Sequence, residues 1–201
     1  LIFIHGLNSD MTGLKAKNIE KYAKKNKLAF VRFDCRGHGK SYGKFEDFSI
    51  TDWKEDMLNV LDNLTKGPQI LVGSSMGGWL MFLGARARPK RIIGLIGLAA
   101  APDYIDEFYS NLSRKKKKEM SRMGIIKYSS YGFSYIVKKK YILDGRKNKI
   151  LNKKINSKIN VTMIHGKKDE VVPVIFSKLA LSVFKNAKKR LRIVKNGDHS
   201  L

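Results

Sequence analysis

The stretch "LVGSSMGGWL", residues 71–80, sets two adjacent serines between glycines at the end of a short apolar run. Gly73 and Gly77 flank Ser75 two residues to either side, giving Gly-x-Ser-x-Gly, whereas Ser74 has Val72 and Met76 in those places. A serine presented on a sharp strand-to-helix turn needs flanking residues without side chains, because the backbone there is strained and closely packed. Ser75 meets that demand and Ser74 does not. The pattern is short and also suits a purely structural Gly/Ser turn, so the surrounding chain must decide.

Outward from this turn, short apolar runs alternate with helical patterns. Residues 1–5, 28–34, 69–74, 91–99, 159–166 and 190–196 read as buried strands, rich in β-branched residues and bounded by Gly, Asn or Pro. Amphipathic helices are expected at about 12–26, 50–65, 76–88 and 174–186. Such alternation predicts an α/β fold with a mostly parallel sheet and helices on both faces. The span from Pro102 to Ser157 breaks the rhythm as a basic, helix-leaning insertion. A core of residues 1–101 and 159–201 with a lid over the sheet end at 102–158 is therefore expected.

The composition suits a single soluble domain: 201 residues, 43% of them hydrophobic. The longest apolar stretch, Ile92 to Ala101, is interrupted by Gly94 and Gly97 and falls short of the roughly 20 residues a membrane span needs. The chain starts at Leu1 in an expected strand and stops two residues after His199, which reads as an excised domain or an incomplete reading frame whose leader is not visible. A single cysteine, Cys35, excludes an internal disulfide and offers no metal cluster, so no metal is expected.

The formal charge of +24 is unevenly placed. Residues 111–158 hold sixteen Lys/Arg against Glu119 and Asp144, so more than half the excess sits in a quarter of the chain. Such a block suits an anionic partner, or is simply a solvated, lysine-biased surface. Few stacking aromatics interleave with the lysines and no nucleic-acid fold signature accompanies them, so no nucleic acid is expected as a partner. An anionic membrane surface stays open.

Parallel sheets place their chemistry beyond the carboxyl ends of the strands. Four such places carry reactive residues: "HGLNS" (5–9), "GSSMGG" (73–78), "HGKKDEVVP" (165–173) and "NGDHS" (196–200). Together they supply Ser75, Asp169 and His199. A serine hydroxyl attacks only when a base takes its proton, and an imidazole titrates in the right range to take and return it. A carboxylate then fixes the imidazole tautomer and stabilises the imidazolium. The oxyanion needs backbone donors, assigned to the N–H groups of Met76 and Leu7.

The alternatives are His5 as base, in the His-Gly turn beside that loop, and Asp103 or Asp198 as acid. His165 reads as a core residue and His38 lies in a Gly-rich loop. "GHGKS" (37–41) lacks the glycine a phosphate-binding loop needs five places before Gly39, where Asp34 stands. Cys35 is not presented on a glycine elbow.

The segments "HGLNSD" (5–10), "RFDCRGHGKS" (32–41), "GPQILVGSSMGGWLM" (67–81), "HGKKDEVVP" and "DHSL" (198–201) resemble the α/β-hydrolase superfamily across nearly the whole chain. The elbow segment, followed by "ARP" (87–89) and "LIGLAAAPD" (95–103), is most similar to the branch of mitochondrial palmitoyl-protein thioesterases and acyl-glucuronide esterases with their bacterial relatives. The resemblance implies the α/β-hydrolase fold and a cofactor-free serine hydrolase of carboxylic esters or thioesters. It matches Ser75 to the nucleophile, Asp169 to the acid and His199 to the base. It further implies an acylated substrate, such as an acylated protein, and a mitochondrial location in a eukaryote or a cytoplasmic one in a bacterium.

Met123, Ile125, Ile126, Tyr128 and Phe133 in the insertion, with Trp79 and Met11, are candidates for an apolar acyl pocket or for plain core. Rival readings are an amide or carbon–carbon hydrolase on the same residues, and a non-catalytic module that binds through the basic insertion.

Overall fold

The computed structural model describes residues 1–130 and 133–201, and the side chains of Ser130 and Phe133 lie outside that description. In chain order its strands are β1 (Ile2–Ile4), β2 (Val31–Arg32), β3 (Gln69–Ser74), β4 (Ile92–Leu98), β5 (Ile125–Ser130), β6 (Phe133–Lys138), β7 (Ile155–Asn156), β8 (Asn160–Gly166), β9 (Phe184–Lys185) and β10 (Lys188–Val194). The helices are α1 (Leu14–Lys25), α2 (Ile50–Asn63), α3 (Met76–Ala87), α4 (Ile105–Ser110), α5 (Arg114–Met123), α6 (Lys139–Lys147) and α7 (Ile175–Val183).

Six strands form one parallel sheet in the order β10-β8-β4-β3-β1-β2. The chain steps from β1 outward to β2, then returns to β3 on the other side of β1 and continues away from it. The strand order therefore reverses between β1 and β3. In an open parallel sheet that reversal opens a crevice beyond the strand ends, and here those ends carry the His5-Gly6-Leu7 loop and the Ser74-Ser75 turn.

Alternation along the strands divides the core. Ile2, Ile4, Leu71, Leu95, Val161 and Met163 point to one face, where they meet Trp53 and Met57 of α2, Phe82 of α3 and Ala180 of α7. On the other face Phe3 and Val72 pack against Ala16 and Ile19 of α1. Helix α2 buries Ile50, Trp53, Met57, Val60 and Leu61, a stripe at helical spacing, and its N-terminus is secured where the Ser49 N–H donates to the Asp52 carboxylate at 2.8 Å. Helix α3 is buried on all sides from Met76 to Ala85, as expected of an element wedged between sheet and neighbouring helices.

Three expectations are corrected. Residues 190–196 were expected as a buried strand, but β10 is the sheet edge, and Arg190 and Arg192 project to solvent because only one neighbour covers it. The 28–34 run contributes only the two-residue edge strand β2. The 102–158 span is not simply helical: between α5 and α6 it folds into the antiparallel hairpin β5–β6, with Ile126 opposite Val137 and Tyr128 opposite Tyr135. Period-two alternation is present there, but the apolar Ile125 and Ile136 on the exposed face blur it. The span's two ends are joined to each other, and Asp144 ties it to α2. Asp103 accepts hydrogen bonds from the N–H groups of Ile150 and Leu151, and Asp144 accepts from Thr51 N–H at 2.8 Å.

Candidate active site

Ser75 sits between β3 and α3 at φ 51°, ψ −116°, outside the regions a serine normally occupies. The turn is held by neighbours that have no room to spare. A Cβ on Gly77 would strike the carbonyl oxygens of Ile4 and His5, and one on Gly73 would strike the backbone of Gly77. A Cβ on Gly6 would come within 3.2 Å of the Ser75 Cβ, a tight contact, so the 5–9 loop packs closely on the turn.

The imidazole of His199 lies between Ser75 and Asp169. Its Nε2 is 3.1 Å from Ser75 Oγ and its Nδ1 is 2.9 Å from Asp169 Oδ2. The chain brings these three together across separations of 124 and 30 residues. Asp169 is also engaged by His165 Nε2 at 3.1 Å and by the N–H groups of Val171 and Val172 on Oδ1. Burial pushes its carboxyl upward, but the hydrogen bonds from His165, His199 and Val172 outweigh that and hold it well below the usual carboxylate range. The residue is an ionised acceptor at neutral pH, which leaves the proton on His199 Nδ1 and the lone pair of Nε2 facing the serine.

Among the described residues no other histidine hydrogen-bonds Ser75. His165 is fully buried, with Nδ1 2.7 Å from Ser177 Oγ and Nε2 2.8 Å from the Val172 carbonyl. His5 uses Nδ1 toward the Gly6 carbonyl and accepts the Cys35 N–H on Nε2, pinning β1 to the 34–41 loop; burial lowers its pKa. His38 packs against Trp53 and Phe45. Among the acids, Asp198 accepts the Ser200 N–H and Asp103 holds the Ile150–Leu151 backbone. The 37–41 loop is organised by Asp34, whose carboxylate accepts the N–H groups of Met11 and Lys40. Cys35 is buried, and burial together with nearby Asp56 and Asp34 pushes its thiol far above the usual range.

The N–H groups of Met76 and Leu7 have no hydrogen-bond partner among the described residues, and both residues line a cavity of about 790 Å³ that opens onto Ser75 and His199. Six aromatic residues line it, Trp79, Tyr104, Phe108, Tyr128, Tyr135 and Tyr141, together with polar residues that include Lys168, Glu170 and Asp198. Tyr104 donates to the Val171 carbonyl at 2.8 Å, and Trp79 Nε1 to that of Asn148 at 3.0 Å. Of the residues offered for an acyl pocket or plain core, Trp79 and Tyr128 are among those lining the cavity. Met123 and Ile125 are not: both project into solvent, since the alternation that turns Ile126 into the core turns Ile125 out. Ile126 is core, Met11 does not line the cavity, and the Phe133 side chain is not described. Tyr104, Phe108, Tyr135 and Tyr141 were not foreseen, because single aromatics scattered over forty residues carry no periodic signal. Among the described residues no group of His, Cys, Asp or Glu is arranged to hold a metal ion.

The family described as serine aminopeptidase, S33, of the Hydrolase_4 type, matches residues 1–134. The chain belongs to that family of α/β hydrolases. Over 177 residues, 86% of this chain, it is 40% identical to the mitochondrial palmitoyl-protein thioesterase ABHD10 of Bos taurus, covering 58% of that protein. The solved structure of mouse alpha/beta hydrolase domain-containing protein 10 superimposes with a TM-score of 0.90 at 36% identity, covering 99% of this chain and 81% of that one. Est1E from Butyrivibrio proteoclasticus, solved with ferulic acid bound, superimposes at 0.82 with 25% identity, over 98% of this chain and 80% of that one. The chain thus spans less than two thirds of the length of the curated relatives it matches.

Proposed function

We propose that this α/β hydrolase cleaves carboxylic esters or thioesters, with Ser75 as nucleophile, His199 as general base and acid, and Asp169 as the group that orients it. The observation that carries this reading is the unbroken hydrogen-bonded line from Ser75 Oγ through both ring nitrogens of His199 to the Asp169 carboxylate. Ser75 Oγ adds to the acyl carbonyl as its proton passes to His199 Nε2. The oxyanion accepts from the N–H groups of Met76 and Leu7, and the leaving alcohol or thiol departs with the proton from His199. A water, activated by the same imidazole, releases the acid and restores the serine. The chemistry needs no cofactor.

The substrate class is an acylated molecule, and the finer proposal is an acyl-protein thioester, on the strength of the palmitoyl-protein thioesterase relatives. Residues 102–158 are proposed to act as a lid, since Tyr128 and Tyr135 of the hairpin face the cavity above Ser75. The same relatives favour a mitochondrial location if the source is eukaryotic; the bacterial counterpart would be cytoplasmic. A surface role for the insertion is favoured by one observation: Ile125 and Ile136 are exposed on the hairpin face that also carries Lys127, next to exposed Met123. Such a face suits an anionic lipid surface. Co-sedimentation that rises with the anionic lipid content of vesicles is the expected result, and binding indifferent to that content overturns it.

Hydrolysis of acyl esters and thioesters from acetyl to palmitoyl, beside matched amides and a diketone, tests the main reading. Turnover of esters or thioesters that Ser75→Ala abolishes is expected. Turnover confined to amides or the diketone, or surviving in Ser75→Ala, overturns it.

A further inference from the structure

Ser74, the serine that the flanking glycines leave out, has a partner of its own. Its hydroxyl lies 3.3 Å from Nζ of Lys15, near the start of α1, and the same Nζ is 3.1 Å from the backbone carbonyl oxygen of His199. Lys15 is one of 41 cationic residues and nothing in its sequence surroundings sets it apart. In the fold it spans 59 residues to the turn before the nucleophile and 184 residues to the base.

We propose that Lys15 is a positioning residue of the hydrolase, fastening the loop that carries His199 to the turn that carries Ser75. The inference rests on the Ser75–His199–Asp169 reading above. Residues 195–201 follow an edge strand, and the imidazole of His199 is a quarter exposed. Gly197 is fixed to Val194 and Lys168 by backbone hydrogen bonds, and Ser200 N–H closes on Asp198. The backbone of His199 has one hydrogen-bond partner among the described residues, and it is Lys15. The ring is held at its two nitrogens by Ser75 and Asp169, and the backbone that sets where the ring starts is held by Lys15.

The ammonium suits the task. It is half-buried, it forms no ion pair within 4 Å among the described residues, and its two acceptors are neutral oxygens. Asp169 and Asp198 lie close enough to favour its charge, against the burial that disfavours it. A cation donating to two neutral oxygens forms stronger bonds than a neutral donor would. It also bridges two loops from a rigid helix without competing for the Asp169 oxygen that His199 needs.

The experiment compares wild type, Ser75→Ala, Lys15→Met and Lys15→Arg on one ester substrate that the wild type turns over, reading kcat, KM and melting temperature. Lys15→Met keeps an unbranched side chain one atom shorter and removes its donors. Because a displacement of about 1 Å at a catalytic group lowers turnover roughly a hundredfold, kcat should fall by about 10- to 100-fold with KM within about twofold. The melting temperature should stay within a few degrees, and Lys15→Arg, which can still reach the His199 carbonyl, should recover most of kcat. A Lys15→Met protein with wild-type kcat overturns the proposal, as does a loss that appears in KM or follows the melting temperature. If the methionine protein does not fold, Lys15→Gln replaces it, with kcat expected in the order Lys, Arg, Gln at equal KM; equal kcat in all three overturns the proposal. An active Ser75→Ala, by contrast, indicts the nucleophile assignment and not Lys15.

Discussion

Replacing Asp169 with asparagine tests the core of the site most directly. Four donors converge on this carboxylate: His199 Nδ1 and His165 Nε2 on Oδ2, and the N–H groups of Val171 and Val172 on Oδ1. Asparagine offers one oxygen and one NH2 group, so whichever way it turns, two donors face a donor. The two backbone N–H groups cannot rearrange, whereas an imidazole can exchange tautomers, so the NH2 group will turn toward His199. Its Nδ1 must then accept, the ring proton moves to Nε2, and no lone pair is left to take the proton of Ser75. A fall in kcat of about 10³- to 10⁴-fold is expected, or about 4–5.5 kcal/mol of barrier, with KM little changed. Losing a charged acceptor for His165 adds a stability loss of about 1–3 kcal/mol, which for a chain of this size lowers the melting temperature by roughly 3–10 °C. Steady-state ester hydrolysis and thermal melts should be run beside Asp103→Asn and Asp198→Asn. Asp103→Asn should lose stability through the Ile150–Leu151 backbone, and both comparison variants should keep kcat within about tenfold. An Asp169→Asn protein within tenfold of wild-type kcat refutes the reasoning, and so does a folded Asp103→Asn protein that has lost turnover.

Other parts of the fold make further predictions. Burial, reinforced by the neighbouring His5, holds His38 down at about 4. The unfolded chain takes up that proton from about pH 6.5 downward and the folded chain does not, so this stability is complete above pH 6.5 and is lost as the pH falls toward 4. The loss amounts to about 3 kcal/mol, and the wild type's melting profile over that window should be steeper than that of His38→Phe; equal slopes refute it. Gly77→Ala, whose methyl would meet the Ile4 and His5 carbonyls, should destabilise by about 3 kcal/mol or more in urea unfolding, and a wild-type midpoint would show that the turn is not packed on β1. Cys35 should resist thiol reagents until the chain unfolds, and rapid labelling of the native protein would contradict its burial and raised thiol pKa.

Much of this protein is written locally. Apolar runs five to nine residues long, punctuated by glycine and asparagine, prescribe strands, and stripes at helical spacing prescribe helices, wherever a single face needs burying. The Gly-x-Ser-x-Gly spacing singles out Ser75, because steric exclusion by a Cβ acts between near neighbours and is visible in the residues themselves. The same locality explains what was misread. The β5–β6 hairpin has its period-two pattern blurred by Ile125 and Ile136 on its exposed face, and β10 looks like an interior strand until the sheet order leaves it at the edge. Tertiary structure alone decides the partnerships. Two histidines contact Asp169, but only His199 also reaches Ser75, since His165 is turned into the core by Ser177 and the Val172 carbonyl. Lys15 becomes distinct from forty other cations only when the sheet lays α1 beside a loop 184 residues away. Periodicity and steric fit are properties of neighbouring residues, whereas a hydrogen bond between distant ones exists only once strand order and helix packing have fixed where each loop emerges.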